Sequence, residues 1–288
     1  MTRRLPPRWD FAIRLLLAFV LTLALVPVVA LVLPNTAFHR LVTRTLLVCI
    51  LALLLVGRSH PRTWGANLRA MGLRGPAGLS RLATGILISI VLFGFVLAIS
   101  WATSGRQITA IPDDWLYKIV AAALTGLGVG ILEETLWRGY LRGLMGATVS
   151  SFLYAAAHYF RPLDGSPPAP GPYDPLMAVR RLPEMFEALG EPRFVTLGMV
   201  SLFILGMALS RLRQRTGTLW MSIGVHAGFV FAIALYRIVL QADPSGSLWI
   251  HGGSRVHDGL LGIAAVGFLW WAAGRVPRAA RVSTSIAR

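Results

Sequence analysis

Two adjacent glutamates, Glu133 and Glu134, lie in an otherwise apolar stretch, and Arg138 follows one helical turn later. One ionised residue at the centre of a membrane helix costs roughly 2.5–3.5 kcal/mol, so an acidic pair kept in such a stretch indicates a functional site. The spacing from Glu134 to Arg138 predicts an ion pair on one helix face. Glu133 then points about 100° away and faces the interior of a helix bundle.

The residues on either side of the pair carry two further predictions. Gly126, Gly128 and Gly130, just before it, would let a neighbouring helix approach closely. Arg138 and Arg142 would mark the cytoplasmic end of this helix, where long basic side chains can extend to the membrane surface.

Two histidines join these carboxylates at a similar predicted depth. We expect the chain to reverse direction near Gly146, so that Glu133 and His158 each lie roughly 18–20 Å from the turn. His226 lies nine residues after Gly217, or about 14 Å into its own helix. The three side chains are therefore predicted to share one site.

A glutamate and two histidines in a dry site can hydrolyse an amide bond. The carboxylate acts as the general base that deprotonates a water molecule, with one histidine as its partner. The other histidine donates a hydrogen bond to the oxyanion that develops on the carbonyl. The same three residues, Glu133, His158 and His226, could instead bind zinc together with a water molecule, and both alternatives stay open.

The elements that position this site are predicted to be membrane helices. The chain has 288 residues, of which 55% are hydrophobic and only 14% are charged, a composition typical of a polytopic membrane protein. We predict an all-α helical bundle that forms a single transmembrane domain over 1–288, with its core motif region at 115–240. About eight crossings are expected: Phe11–Leu33, Leu41–Val56, Leu82–Thr103, Trp115 to beyond Leu132, Ala147–Tyr159, Phe194–Leu209, Thr218–Leu240 and Leu260–Ala273.

The net charge of +16 is explained by membrane orientation rather than by nucleic-acid binding. With the N-terminus inside, the inner segments carry 17 basic residues and the outer segments carry 9, which predicts that both termini are cytoplasmic. The first apolar stretch is long for a secretory signal, so we interpret it as an uncleaved helix. The single cysteine, Cys49, excludes a disulfide within the chain.

A proline-rich loop, 161–193, is predicted on the outer side. Its second half, Met177–Leu189, has the apolar spacing of a weak amphipathic helix that Pro183 interrupts. The loop is interpreted either as an interfacial connection or as a lid that recruits substrate.

The motifs resemble the CPBP family of intramembrane proteases, the CaaX protease and bacteriocin-processing group also called Abi. The family motif Glu-Glu-x-x-x-Arg corresponds to Glu133, Glu134 and Arg138, and its Phe-x-x-x-His motif corresponds to Tyr154 and His158. A third motif, which ends in His-x-x-x-Asn, corresponds to Thr216–Trp220 and His226. The resemblance covers roughly 131–230.

The resemblance implies an eight-helix bundle and assigns a role to each site residue. Glu133 would be the base, His158 its partner and His226 an oxyanion donor, without a bound metal in the current view of the family. Val230 stands where the family has asparagine and cannot donate a side-chain hydrogen bond. Ser222, one turn before His226, is the residue we expect to substitute for it.

The sequence thus predicts an intramembrane endopeptidase that cuts a membrane-associated peptide or protein. We expect it in the lipid bilayer of a bacterial inner membrane, with no nucleic-acid partner and no cofactor unless zinc is used. Two alternatives are a non-catalytic family member that binds and regulates another membrane protein, and a transporter that uses the acidic pair as a proton relay. The lack of internal repeats argues against the transporter.

Overall fold

The computed structural model of the chain describes residues 7–56, 68–69, 71–73, 77–162, 174–190, 192–243, 245–252 and 256–278. Within them, long helices account for most of the chain. The helices, in order, are α1 (Pro7–Val32), α2 (Phe38–Val56), α3 (Gly78–Ala102), α4 (Trp115–Glu134), α5 (Arg142–Ala157), α6 (Met177–Arg180), α7 (Pro192–Thr216), α8 (Trp220–Val239), α9 (Leu248–His251) and α10 (Leu260–Ala273). A π-helical segment, Thr135–Leu141, joins α4 to α5, and two 3₁₀ helices cover Leu182–Leu189 and Val256–Asp258.

Among the described residues, four helical stretches are long and apolar enough to cross a membrane. They are Trp9–Val32, Gly78–Ala102, Trp115–Ala157 and Trp220–Val239, and Leu260–Ala273 is a shorter apolar helix. The stretch Trp115–Ala157 contains a chain reversal, so it comprises two of the predicted crossings. The prediction of an all-α polytopic membrane bundle is confirmed, whereas the count of eight crossings stays a prediction.

At each end of the bundle, segments that were predicted to lie on the same side of the membrane contact each other. Strands β1 (Arg106–Ile108) and β2 (Leu240–Ala242) form an antiparallel ribbon, and both belong to loops predicted on the outer side. At the opposite end, the Leu219 amide donates to the Gly72 carbonyl at 2.8 Å. Gly72 belongs to a loop predicted on the inner side, and Leu219 lies at the inner end of the predicted crossing Thr218–Leu240. The ribbon itself was not predicted, because three-residue strands have too short a pattern to be read from sequence.

Helix α8, which carries His226, packs closely against α3 through glycines. A Cβ on Gly224 would overlap the carbonyl oxygen of Leu82, and a Cβ on Gly228 would lie 2.7 Å from the carbonyl oxygen of Ile86. The two glycines are four residues apart and therefore line one face of α8. This face allows the backbones of α3 and α8 to touch, as small residues do between membrane helices.

The other side of α8 packs against α4 just before the acidic pair. A Cβ on Gly126 would lie 2.7 Å from the carbonyl oxygen of Ala227, and a Cβ on Gly130 would lie 3.0 Å from that of Ile223. The predicted close approach at these two glycines is confirmed. For Gly128 the prediction was wrong, because an added Cβ there would meet nothing within 4 Å. The contact brings the end of α4 against the turn of α8 that contains His226.

Alanine substitutions at these two neighbouring glycines are expected to have opposite effects. Gly126→Ala should lower the free energy of unfolding by about 1–3 kcal/mol, because the new methyl group collides with the α8 backbone. Gly128→Ala should raise it by about 0.5–1 kcal/mol, because alanine favours the helix and the site has room. Thermal unfolding of both variants in one detergent checks this. Equal effects would show that α4 and α8 are further apart than described.

The second half of the proline-rich loop folds onto the outer ends of α1 and α2. Met177, Ala178, Met185 and Ala188 are buried, and the first three belong to one apolar cluster with Val26. Of the apolar positions in the predicted pattern, Met177 and Met185 are buried, whereas Phe186 and Leu189 are 52% and 43% exposed. Helix α6 is followed by a 3₁₀ helix rather than by a second α-helical turn. The first half of the loop, 163–173, lies outside the described residues, and the choice between a lid and a connector stays open.

Candidate functional site

The acidic pair lies where α4 changes to π-helical geometry. Helix α4 ends at Glu134, and the π-helical segment follows directly with Thr135–Leu141. The Thr135 hydroxyl donates to the Ile131 carbonyl at 2.6 Å, which ties the segment to the preceding turn. Short π-helical segments inside helices are frequent at functional sites, because they redirect side chains.

The predicted chain reversal occurs at Gly146, which has φ 84° and ψ 169°. Beyond it, the Ser150 hydroxyl donates to the Trp137 carbonyl at 2.8 Å. In a continuous helix, thirteen residues would separate these two positions by roughly 20 Å. The hairpin therefore places Tyr154 and His158 beside the segment that carries Glu133 and Glu134.

Glu134 is fully buried and accepts two hydrogen bonds at one oxygen. Arg138 Nη1 donates to Glu134 Oε1 at 2.8 Å, and both side chains are 0% exposed. His226 Nδ1 is also 2.8 Å from Glu134 Oε1. The predicted ion pair is present, but Glu134 also binds His226, a contact the sequence did not indicate.

Glu133 faces the other ring nitrogen of His226. Glu133 Oε2 lies 3.9 Å from His226 Nε2 and has no hydrogen-bond partner among the described residues. The distance is too long for a direct hydrogen bond. An oxygen atom about 2.8 Å from both atoms fits between them, as a bridging water or a substrate oxygen would.

The contact with Glu134 determines the protonation of His226. Since a carboxylate oxygen can only accept, Nδ1 carries a proton and donates it to Glu134. Nε2 then accepts a proton from water in the neutral ring, or donates to an oxyanion in the imidazolium. The ring is 2% exposed, and its two nitrogens face the two carboxylates.

Tyr154 connects the arginine to both histidines. The Arg138 guanidinium lies 4.2 Å from the centre of the Tyr154 ring. The rings of His158 and His226 contact the same tyrosine edge-on, with centroid distances of 4.7 and 5.9 Å. The tyrosine is 1% exposed, so this packing orients the ring that separates the two imidazoles.

His158 lies at the end of α5, where its Nδ1 is 2.8 Å from the Tyr154 carbonyl oxygen. Because the carbonyl only accepts, the neutral ring carries its proton on Nδ1. The contacts that orient His158 are with Tyr154, whereas the imidazole facing the carboxylates is that of His226.

Two predictions about supporting residues were wrong. The Ser222 hydroxyl donates its only proton to the Leu209 carbonyl at 3.0 Å, so it links α8 to α7 and cannot serve as an oxyanion donor. Arg138 does not extend to the membrane surface. Its side chain is 0% exposed, because its opposite charge and the Tyr154 ring are both inside the bundle.

The described residues do not form a metal site. Among them, no group of three or more histidine, cysteine, aspartate or glutamate side chains is arranged to hold a metal ion. The zinc alternative, with Glu133, His158 and His226 as ligands, stays a prediction.

Comparison with known families supports the motif assignment. Residues 114–232 match the family model for Rce1-like proteins, described as type II CAAX prenyl endopeptidases. This segment is similar to Rce1-like proteins. The Rce1-like segment contains all the site residues, from Glu133 to His226, and confirms the resemblance to the CPBP group. Searches of curated proteins and of solved structures found no match.

Proposed function

We propose that the protein is an intramembrane endopeptidase that hydrolyses a peptide bond with a water molecule activated by Glu133. The observation that carries the proposal is the position of His226, whose two nitrogens face the two carboxylates at 2.8 and 3.9 Å within an Rce1-like segment. The protein is a membrane protein of a CAAX-type protease family. The catalytic glutamate and the membrane-associated peptide substrate are parts of this proposal.

In the proposed reaction, Glu133 accepts a proton from water while the water oxygen attacks the carbonyl carbon. His226, protonated on both nitrogens and oriented by Glu134, donates from Nε2 to the oxyanion. When the carbon–nitrogen bond breaks, Glu133 returns its proton to the departing amine. His158 helps to hold the water molecule, and Tyr154 orients its ring. Each residue acts without a metal ion.

The experiment that tests the proposal compares newly formed protein termini in membranes. Cells that express the wild-type protein are compared with cells that express Glu133→Gln. We propose that both proteins are located in the inner membrane, with their termini in the cytoplasm. Termini that occur only with the wild type identify substrates and cleavage sites. The same set of termini in both samples would exclude Glu133 as the base.

Restoring the asparagine of the family motif is expected to increase activity. Val230 lies in α8 one turn after His226, where an asparagine amide would reach the same side of the helix. Since loss of one oxyanion donor costs about 100- to 1,000-fold in rate, Val230→Asn should accelerate cleavage by about tenfold or more. Val230→Ala is the control that changes size without adding a donor. Equal rates for the two variants would contradict an oxyanion position at residue 230.

A second function is favoured by the lack of side-chain oxyanion donors at residues 222 and 230. With Val230 in α8 and the Ser222 hydroxyl bound to Leu209, the site has fewer oxyanion donors than the family motif provides. A protein that binds and regulates another membrane protein would need no oxyanion donor. A partner whose activity changes equally with the wild type and with Glu133→Gln would support this second function over proteolysis.

A further inference from the structure

Helices α5 and α7 share a narrow polar contact, here called the α5–α7 seam, which consists of Ser151, Gly206, Ser210 and the guanidinium of Arg138. The hydroxyl oxygens of Ser151 and Ser210 are 3.5 Å apart. A Cβ on Gly206 would lie 2.8 Å from the Cβ of Ser151 and 3.2 Å from Arg138 Nη2. The absence of a side chain at Gly206 therefore leaves the guanidinium and the two hydroxyls next to each other.

Arg138 brings unpaired donors into this seam. The residue is only 2% exposed, and its Nε and Nη2 have no hydrogen-bond partner among the described residues. Glu134 Oε2, on the other side of the ion pair, also lacks a partner there. Buried polar groups are almost always hydrogen-bonded, and water is the usual partner when protein atoms do not supply one.

The seam connects the end of the bundle to the carboxylates. Ser210 immediately precedes the basic run Arg211–Arg215 at the end of α7, where the predicted topology has the inner membrane surface. Arg138, at the other end of the seam, binds Glu134, which binds His226. Polar atoms thus follow one another from the bundle end to the histidine that faces Glu133.

We propose that the α5–α7 seam holds ordered water and supplies the site with water from the inner membrane surface. This inference rests on the proposed function, because hydrolysis consumes one water molecule for each peptide bond. The oxygen bonds to the carbonyl carbon, and the departing amine gains a proton. Lipid supplies no water at this depth. Arg138 Nε and Nη2 donate to the water in the seam, and Ser151 and Ser210 exchange hydrogen bonds with it.

Helix α5 contains a matched position outside the seam. Ser150 is 0% exposed, compared with 1% for Ser151. Its hydroxyl donates to the Trp137 carbonyl at 2.8 Å, so it has a protein partner. The two serines share residue type, helix and burial, and they differ in the surface of α5 to which they belong, because adjacent helical residues point about 100° apart.

Cysteine labelling tests the proposal, since Cys49 is the single cysteine of the chain and can be replaced by alanine. In that background, Ser151→Cys, Ser210→Cys and Ser150→Cys are treated in bilayers with methyl methanethiosulfonate, which reacts with thiolates. Thiols ionise readily in contact with water and poorly in apolar surroundings, so the two seam cysteines should react about tenfold or more faster than Ser150→Cys.

A measurement on the unmodified protein gives an independent readout. In water-edited solid-state NMR, the Arg138 guanidinium should receive magnetisation from water at least as fast as Glu133, which is partly exposed. Equal labelling of all three cysteines, or an Arg138 guanidinium without water contact, would overturn the proposal. Neither measurement depends on cleavage, so the seam and the proposed protease function can fail separately.

Discussion

Replacing Glu133 by glutamine is expected to reduce peptide-bond cleavage by about 100- to 10,000-fold, the range that a positioned general base contributes. Glutamine keeps the size of the side chain but cannot accept a proton from water. Because Glu133 Oε2 has no hydrogen-bond partner among the described residues, the substitution breaks no hydrogen bond at this oxygen. The variant should therefore insert and unfold like the wild type, and the loss should affect the chemical step alone.

The matched control for this prediction is Glu187→Gln, the same chemical change at an exposed position of the 3₁₀ helix Leu182–Leu189. Cleavage is measured as the rate at which termini identified with the wild-type protein accumulate. Glu187→Gln should retain wild-type rates. If Glu133→Gln also retained them, the base would have to be another group, and the water position between Glu133 and His226 would lose its role.

Local rules were enough to predict the first half of the site. The spacing from Glu134 to Arg138 requires only helix geometry, and their 2.8 Å ion pair agrees with it. The reversal at Gly146 followed from the need to return the chain into the membrane after a basic segment. The close approach at Gly126 and Gly130 followed from the absence of side chains there. Each of these features depends on residues close together in sequence.

The other half of the site depends on how distant helices are rotated, which local spacing does not determine. His226 and Glu134 are separated by 92 residues, and only the rotation of α8 about its axis decides which nitrogen meets which carboxylate. The same rotation directs Ser222 toward α7, where its hydroxyl bonds to Leu209. An amphipathic pattern could not indicate this rotation, because α8 is buried on nearly every side.

Arg138 shows where two physical rules compete. A long basic side chain near a helix end usually extends to the membrane surface, and that rule predicted the wrong direction. The attraction of Glu134 and the face of Tyr154 outweigh it, because both lie inside the bundle at 2.8 and 4.2 Å. The π-helical segment could not be predicted either, since no local signal distinguishes it from a continuing α-helix.

Removing the charge of Arg138 is expected to produce the largest loss of stability in the chain. Arg138→Met keeps an unbranched side chain but leaves Glu134 buried without its cation. Breaking a buried ion pair in this way lowers the free energy of unfolding by about 3–5 kcal/mol, because one charge remains uncompensated. The effect is measured by chemical or thermal unfolding in a single detergent, with the loss of the α-helical signal as the readout.

An exposed ion pair at the start of α4 provides the control, because its two residues have the same spacing along the chain. Asp114 and Lys118 form an ion pair at 2.8 Å with an identical four-residue separation, but their side chains are 55% and 44% exposed. Lys118→Met should change the free energy of unfolding by about 0.5 kcal/mol or less, because water screens an exposed pair. The two substitutions therefore differ mainly in the burial of the charge that remains. Equal effects would mean that water reaches Glu134 freely.

A double variant separates the attraction within the pair from the cost of an unpaired charge. In Glu134→Gln together with Arg138→Met, no buried charge lacks a partner, although His226 loses its carboxylate. The double variant should therefore be less destabilised than the sum of the two single variants, since contacting residues are not additive. Additive losses would show that Arg138 stabilises the bundle through its packing on Tyr154, and that the Glu134 charge is balanced by His226 alone.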